Sequence, residues 1–267
     1  MNTASEETIL TEGILVPDAI VQGDCLKLMP LVPDHSVDLV LADLPYGTTQ
    51  NQWDSVIPLE PLWAQYDRLL SKDGVVVLTA QGKFSAMLIL AAPESIPYRY
   101  SAVWCKRNHT NQLNAKRQLL RKHEDVLVFY RGDPAYNPQG LVRKGTLTKQ
   151  GKTSTTCYGE QKRDPYVQEW TNWPTTLIEV DGKTSRTHPT EKPLALWVYL
   201  MRTFSNEGGL VLDNCSGSGT TAVAARMFGR RFVCIEKDAD IHAKSLVRLE
   251  QEAPVCDLFG STIPGSS

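Results

Sequence analysis

Asp43-Leu-Pro-Tyr-Gly47 follows directly on the apolar run 37–42, so an acid, a backbone-restricting proline and an aromatic ring share the mouth of an expected strand. An amino nitrogen attached to an aromatic ring is a poor nucleophile, because its lone pair is delocalised into the ring. Two acceptors on its two hydrogens draw it toward a tetrahedral, nucleophilic state. The Asp43 carboxylate can supply one acceptor and the main-chain carbonyl of Leu44 the other. Tyr46 can stack on the ring, a contact worth about 1–3 kcal/mol. A carboxylate also suits a sulfonium methyl donor, whose charge it offsets in a dry site. A plain turn after a strand would leave the same D-x-P-Y string.

A second motif lies far downstream, Asp213-Asn-Cys-Ser-Gly-Ser-Gly-Thr-Thr221. It reads as strand, glycine-rich turn and helix, with Gly217 and Gly219 letting backbone approach a ligand at the carboxyl end of a strand. No lysine follows the glycines, which argues against a nucleotide P-loop. Glu236 ends the next apolar run, at about the spacing from the glycines where an acid accepts hydrogen bonds from ribose hydroxyls. His188-Pro-Thr-Glu-Lys-Pro193 opens an expected helix, and Lys192 beside a helix N-terminus suits a carboxylate. Each has a bland counterpart: a tight strand-to-helix turn, a surface acid, a loop before a proline-initiated helix.

The elements that must position these residues are legible as short runs. Apolar, β-rich stretches at 19–22, 37–42, 74–79, 98–104, 125–130, 209–212 and 231–235 are continuous rather than alternating, as expected of strands buried on both faces. Helical patterns fit at 59–70, 84–92, 193–204, 220–228 and 238–252, with Gly229 where a helix C-cap belongs. Seven strands with helical crossovers predict an open α/β sheet. Residues 13–131 and 175–252 are assigned to one catalytic domain and 132–174 to an inserted recognition region. The segments 1–12 and 253–267 are expected to be tails.

Net charge is only −2, but it is unevenly distributed. Residues 106–163 carry 13 Lys+Arg against 4 Asp+Glu, leaving 15 against 26 elsewhere. This suggests a face built for a polyanion, although a solvated surface insertion would look alike. Lys106, Arg107, His109, Lys116, Arg117, Arg121, Lys122, Arg143 and Lys144 are the candidates for phosphate contacts, and Trp104 reads as core at a strand end. The six cysteines form no C-x-x-C pair and read as reduced thiols of a cytosolic protein, so no metal site is expected. No stretch of eighteen apolar residues suggests a membrane span. Residues 48–54, with Trp53, read either as a mobile loop over a bound base or as an ordered loop with a packing tryptophan.

Together these motifs resemble the S-adenosylmethionine-dependent, amino-methylating DNA methyltransferases of the β-type circular permutation. In that family D-P-P-Y comes first, then the recognition region, H-P-T-x-K-P and F-x-G-x-G. Here Asp43–Tyr46, the basic stretch, His188–Pro193 and Asn214–Gly219 follow the same order. The resemblance covers most of residues 23–249 and extends to the compact adenine methylases of phages and mobile elements. It implies a seven-stranded Rossmann-like sheet, circularly permuted, with an inserted recognition region. Asp43, Leu44, Pro45 and Tyr46 would hold the target amino group. Asp24 and Cys25 would meet the cofactor's adenine, and Glu236 its ribose. Asp213, Cys215, Ser216, Gly217, Gly219 and Thr220 would face its methionine side, with Asp43 toward the sulfonium and His188, Thr190 and Lys192 near the carboxylate. The implied partner is double-stranded DNA, with base flipping and without metal or membrane, in a cytoplasmic protein of bacterial or phage type, and homodimers are common in the family. Members acting on cytosine N4 usually carry Ser at the place of Asp43, so adenine N6 is the expected target. Leu44 in place of proline and Cys215 in place of phenylalanine depart from the pattern, which keeps open a non-catalytic DNA-binding relative.

Overall fold

Strands form where apolar runs are β-branched and short. β1 (Ala19–Gln22), β2 (Val37–Asp43), β3 (Leu70–Ala80), β4 (Tyr98–Thr110), β5 (Arg121–Tyr130), β6 (Leu177–Ile178), β7 (Leu210–Asp213) and β8 (Arg231–Glu236) build one sheet, ordered β6-β4-β5-β3-β2-β7-β8-β1. The structure is a computed structural model and describes residues 10–11, 14–47, 56–144, 154–155, 159–160, 169–180 and 192–252. From β1 to β3 across the sheet all pairings are parallel; β5 runs antiparallel to both β3 and β4, and β6 pairs parallel with β4. All seven anticipated strands are present, and β6 adds a two-residue edge.

Alternate residues of each buried strand feed two cores, which is why the runs look continuous. Val40 and Ala42 of β2 face α2 (Leu59–Leu69) and α3 (Lys83–Ala91), together with Leu62, Trp63, Tyr66 and Leu88. Leu39 and Leu41 face α4 (Leu194–Phe204), α5 (Thr220–Met227) and α6 (Ala239–Glu252), with Trp197, Leu200, Ala224 and Leu249. A short helix α1 (Cys25–Leu28), absent from the sequence reading, follows β1 and is N-capped by the Asp24 side chain on Leu26 N. Gly229 has φ +66 and closes α5, with Arg230 N donating to Ala225 O at 2.9 Å.

The carboxyl ends of β2, β7 and β8 finish at Asp43, Asp213 and Glu236. Because β7 lies between β2 and β8, the three acids line one edge of the sheet, where open α/β folds bind ligands. Residues 106–122, which carry no pattern of their own in the sequence, are instead the outer half of a β4–β5 hairpin with a 3-10 turn at Gln112–Asn114. An exposed hairpin need not alternate apolar and polar residues, so its period is invisible. Pro138–Thr175 forms a separate compact unit. Within it Val142–Arg143 pairs antiparallel with Trp170–Thr171, and Ser154–Thr155 with Gly159–Glu160. Among the described residues no helix is long and apolar enough to cross a membrane.

Candidate active site

β2 delivers Asp43, and the residue after it anchors the motif. Leu44 is only 2% exposed and packs in the core, so burial of a side chain holds this turn where the family pattern has its first proline. Asp43 Oδ1 accepts a hydrogen bond from Tyr46 OH at 2.9 Å and another from the Thr79 hydroxyl. Thr79 is the β3 register partner of Asp43 and is fully buried, so pairing of the two strands fixes that contact. Asp43 Oδ2 accepts from Lys192 Nζ at 2.5 Å.

Lys192, just before α4, also lies 3.2 Å from Glu124 Oε2, while Glu124 Oε1 pairs with Lys106. Glu124 Oε2 is buried and, although close enough for an ion pair, has no hydrogen-bond partner. Burial pulls the Lys192 pKa down, but Asp43 and Glu124 outweigh it and leave it above the ordinary lysine value. Burial, reinforced by the same two carboxylates, holds the Tyr46 phenol well above its ordinary value. At neutral pH both are therefore proton donors. The Tyr46 ring leans on Phe84 at 5.3 Å between centroids, with Lys192 Nζ 5.8 Å from its own centroid.

The glycine turn is built from inside. Asp213 Oδ1 accepts from Cys215 N at 3.0 Å and Oδ2 from the Thr221 hydroxyl, which in turn accepts from Trp197 Nε1 at 2.7 Å. Burial pushes the Asp213 carboxyl up to about 7, against the lowering effect of those two hydrogen bonds; Asp43 and Glu236 add to the rise. Asn214 Oδ1 accepts from Tyr66 OH at 2.6 Å. Gly217 N donates to Glu236 Oε2 at 2.8 Å, and Ser216 N to Ile235 O at 2.9 Å. Arg248, itself buried, braces the turn from behind through Ser218 Oγ and Thr220 Oγ1. Gly219 has φ +79, and a Cβ there would stand 3.1 Å from Ser245 Cβ.

The fit of this turn to a ligand rests on two observations. A Cβ added at Gly217 would meet no atom within 4 Å, so the turn borders open space. Ser216 Oγ is buried and has no hydrogen-bond partner. The Cys25 and Cys215 thiols hydrogen-bond each other on the same side, lowering the first pKa and raising the second.

Several of the expected site residues have protein partners. Lys192, anticipated beside a cofactor carboxylate, is paired with Asp43 at the end of β2 and with Glu124 of β5, two carboxylates that hold its buried ammonium. The Asp213 side chain is consumed inside the turn, and the Asp24 side chain caps α1. Lys106 is held by Glu124 and stands over the Trp104 ring, and Trp104 is core as read. Arg107, His109, Lys116, Arg117, Arg121 and Lys122 are exposed on the hairpin, and Arg143 is exposed in the separate unit. His188, Thr190 and residues 48–54 lie outside the described residues. Glu124, Thr79, Tyr66 and Arg248 were not anticipated. The one available signal was Glu124 sharing a strand face with Val126 and Val128. Among the described residues no cluster of His, Cys, Asp or Glu could hold a metal ion.

A mostly parallel sheet of this strand order, with an acceptor motif and a glycine turn at neighbouring strand ends, is that of the methyltransferases. The chain belongs to the DNA methylase family, whose pattern matches residues 37–246. It is similar to the DNA adenine methyltransferase YhdJ of Escherichia coli K12, at 26% identity over 86% of this chain and 82% of that one. Among solved structures it is similar to M1.HpyAVI in its complex with SAM, with TM-score 0.58 at 21% identity, covering 86% of this chain and 98% of that chain. It is similar also to the cytosine-N4-specific PvuII DNA methyltransferase, with TM-score 0.61 at 15% identity, covering 91% and 88%. At these identities the structural likeness speaks for the fold.

Proposed function

We propose that this DNA methyltransferase transfers a methyl group from S-adenosylmethionine to adenine N6 in duplex DNA. The observation that carries the reading is Asp43, a carboxylate at the end of β2, with Thr79 and Tyr46 holding one oxygen and Lys192 on the other. S-adenosylmethionine, when bound, supplies an electrophilic methyl group. Ser216, Gly217, Gly219 and Glu236 would hold it, beside the open space at Gly217.

The chain's own residues do the rest. The exposed cations of the β4–β5 hairpin offer phosphate contacts, and the Pro138–Thr175 unit is the candidate reader of sequence. The target base leaves the stack, since its amino group cannot reach a donor inside a duplex. Asp43 and the Leu44 carbonyl accept the two amino hydrogens while Tyr46 supports the ring. The nitrogen's lone pair forms the new bond to the methyl carbon as the carbon–sulfur bond breaks and its electron pair stays on sulfur, leaving a neutral thioether. The nitrogen's surplus proton passes by way of the Asp43 carboxylate to solvent. The late strands β7 and β8 sit between β2 and β1, in support of the circularly permuted order.

Transfer of labelled methyl to DNA, followed by chromatography of the nucleosides, tests the reading. N6-methyladenine is the expected product; N4-methylcytosine, the chemistry named for the PvuII relative, would overturn the choice of base. Asp43→Ala is expected to lose turnover while cofactor binding persists, and full activity in that variant would remove Asp43 from its role.

A further inference from the structure

Both oxygens of Asp43 are met by donors of the protein itself. Thr79 cannot leave Oδ1, because the register of β2 on β3 places it there and it is fully buried. Lys192 on Oδ2 is different, because a second acceptor stands beside it. Glu124 Oε2 lies 3.2 Å from the same ammonium, is buried, and has an unused capacity to accept. Its other oxygen is anchored by Lys106, so the carboxylate is held facing Lys192. A buried carboxylate oxygen that holds its ammonium only through this 3.2 Å ion pair favours any arrangement that gives it a full hydrogen bond.

We infer that Glu124 is a positioning residue that takes Lys192 from Asp43 when the target amino group arrives. This rests on the reading of Asp43 as the amino-group acceptor. In the closed arrangement Lys192 guards Asp43 Oδ2. As the base enters, the ammonium turns to Glu124 Oε2 with all three protons retained, and Oδ2 becomes free to accept an amino hydrogen. The local charge is balanced throughout: Asp43 and Glu124 face Lys192 and Lys106. Substrate thus replaces one donor by another on Asp43 without leaving a buried cation unpaired, which is the situation that makes broken buried pairs expensive.

The test uses the full chain, duplex DNA and labelled S-adenosylmethionine. Glu124→Gln keeps the side-chain volume but weakens the second acceptor, so Lys192 stays on Asp43. Single-turnover methyl transfer is expected to fall roughly tenfold to a hundredfold, the range for a misplaced charge-assisted hydrogen bond, with cofactor affinity little changed. Adding Lys192→Met to that variant removes the guard, and the double variant is expected to transfer faster than Glu124→Gln alone. A double variant no faster than the single one would mean a merely structural Glu124 and overturn the inference. Should Glu124→Gln not fold, Glu124→Asp keeps the charge but withdraws it by one methylene. Slower transfer by this variant is expected, and an undiminished rate would overturn the inference. If the wild-type chain binds S-adenosylmethionine but methylates no DNA, the functional reading itself fails; wild-type turnover with an undiminished Glu124→Gln rate sinks this inference alone.

Discussion

Asp213 is an acid buried in the turn it organises, and Asp213→Asn exposes what that costs. The residue is 2% exposed, and its carboxyl is pushed from 3.8 up to about 7, by burial first, with Thr221 and Cys215 N pulling the other way. Between these two values the folded chain keeps a proton that the unfolded chain has released. The stability tied to that proton is therefore fully present below about 3.8 and is lost as pH rises through about 7. At about 1.4 kcal/mol per pH unit the interval corresponds to on the order of 4 kcal/mol, with the lowering by the two hydrogen bonds already counted. Asparagine has the same shape, can accept from Cys215 N and can donate to Thr221 Oγ1, and does not ionise. Urea unfolding of both proteins from pH 4 to pH 9 is the assay. Titrating groups that do not interact with Asp213 cancel in the difference, so the variant should match the wild type near pH 4 and gain on it up to about pH 7. A difference that stays flat, or that runs the other way, would refute the claim that burial dominates at Asp213.

Two further outcomes are expected. Gly219→Ala places a Cβ at φ +79 and 3.1 Å from Ser245 Cβ, so it should cost about 1–2 kcal/mol in stability and weaken cofactor binding; an unchanged Tm would contradict the close approach. Arg121→Ala with Lys122→Ala removes two exposed hairpin cations and should lower the slope of log affinity against log salt by about 1–2, equally on specific and random duplexes. A slope identical to the wild type would move DNA binding away from the hairpin.

The strands were legible because parallel, doubly covered strands must be apolar at almost every position, as 37–42 and 231–235 are. Gly217, Gly219 and Gly229 were legible for a related reason: positive φ leaves a residue-type signature. What the sequence hid was partnership. Asp43 and Thr79 are 36 positions apart and meet only through the register of β2 on β3; Asp43 and Lys192 are 149 apart. A motif fixes which groups are present at one strand end, while the donors that meet them depend on how neighbouring strands slide. That is why the position of Lys192 before a helix suggested a cofactor carboxylate but gave no sign of the two protein carboxylates it meets in the fold. It is also why the departure at Leu44 looked like a weakness. In the fold the buried side chain of Leu44 restrains the turn by packing, whereas proline would restrain it through φ, so Leu44 is a second route to the same rigidity. In the proposed mechanism the acceptor is a main-chain carbonyl, which either residue supplies, so the substitution is expected to change how the loop is held and not its chemistry. A Leu44→Pro variant with an unchanged methyl-transfer rate is the outcome that checks it.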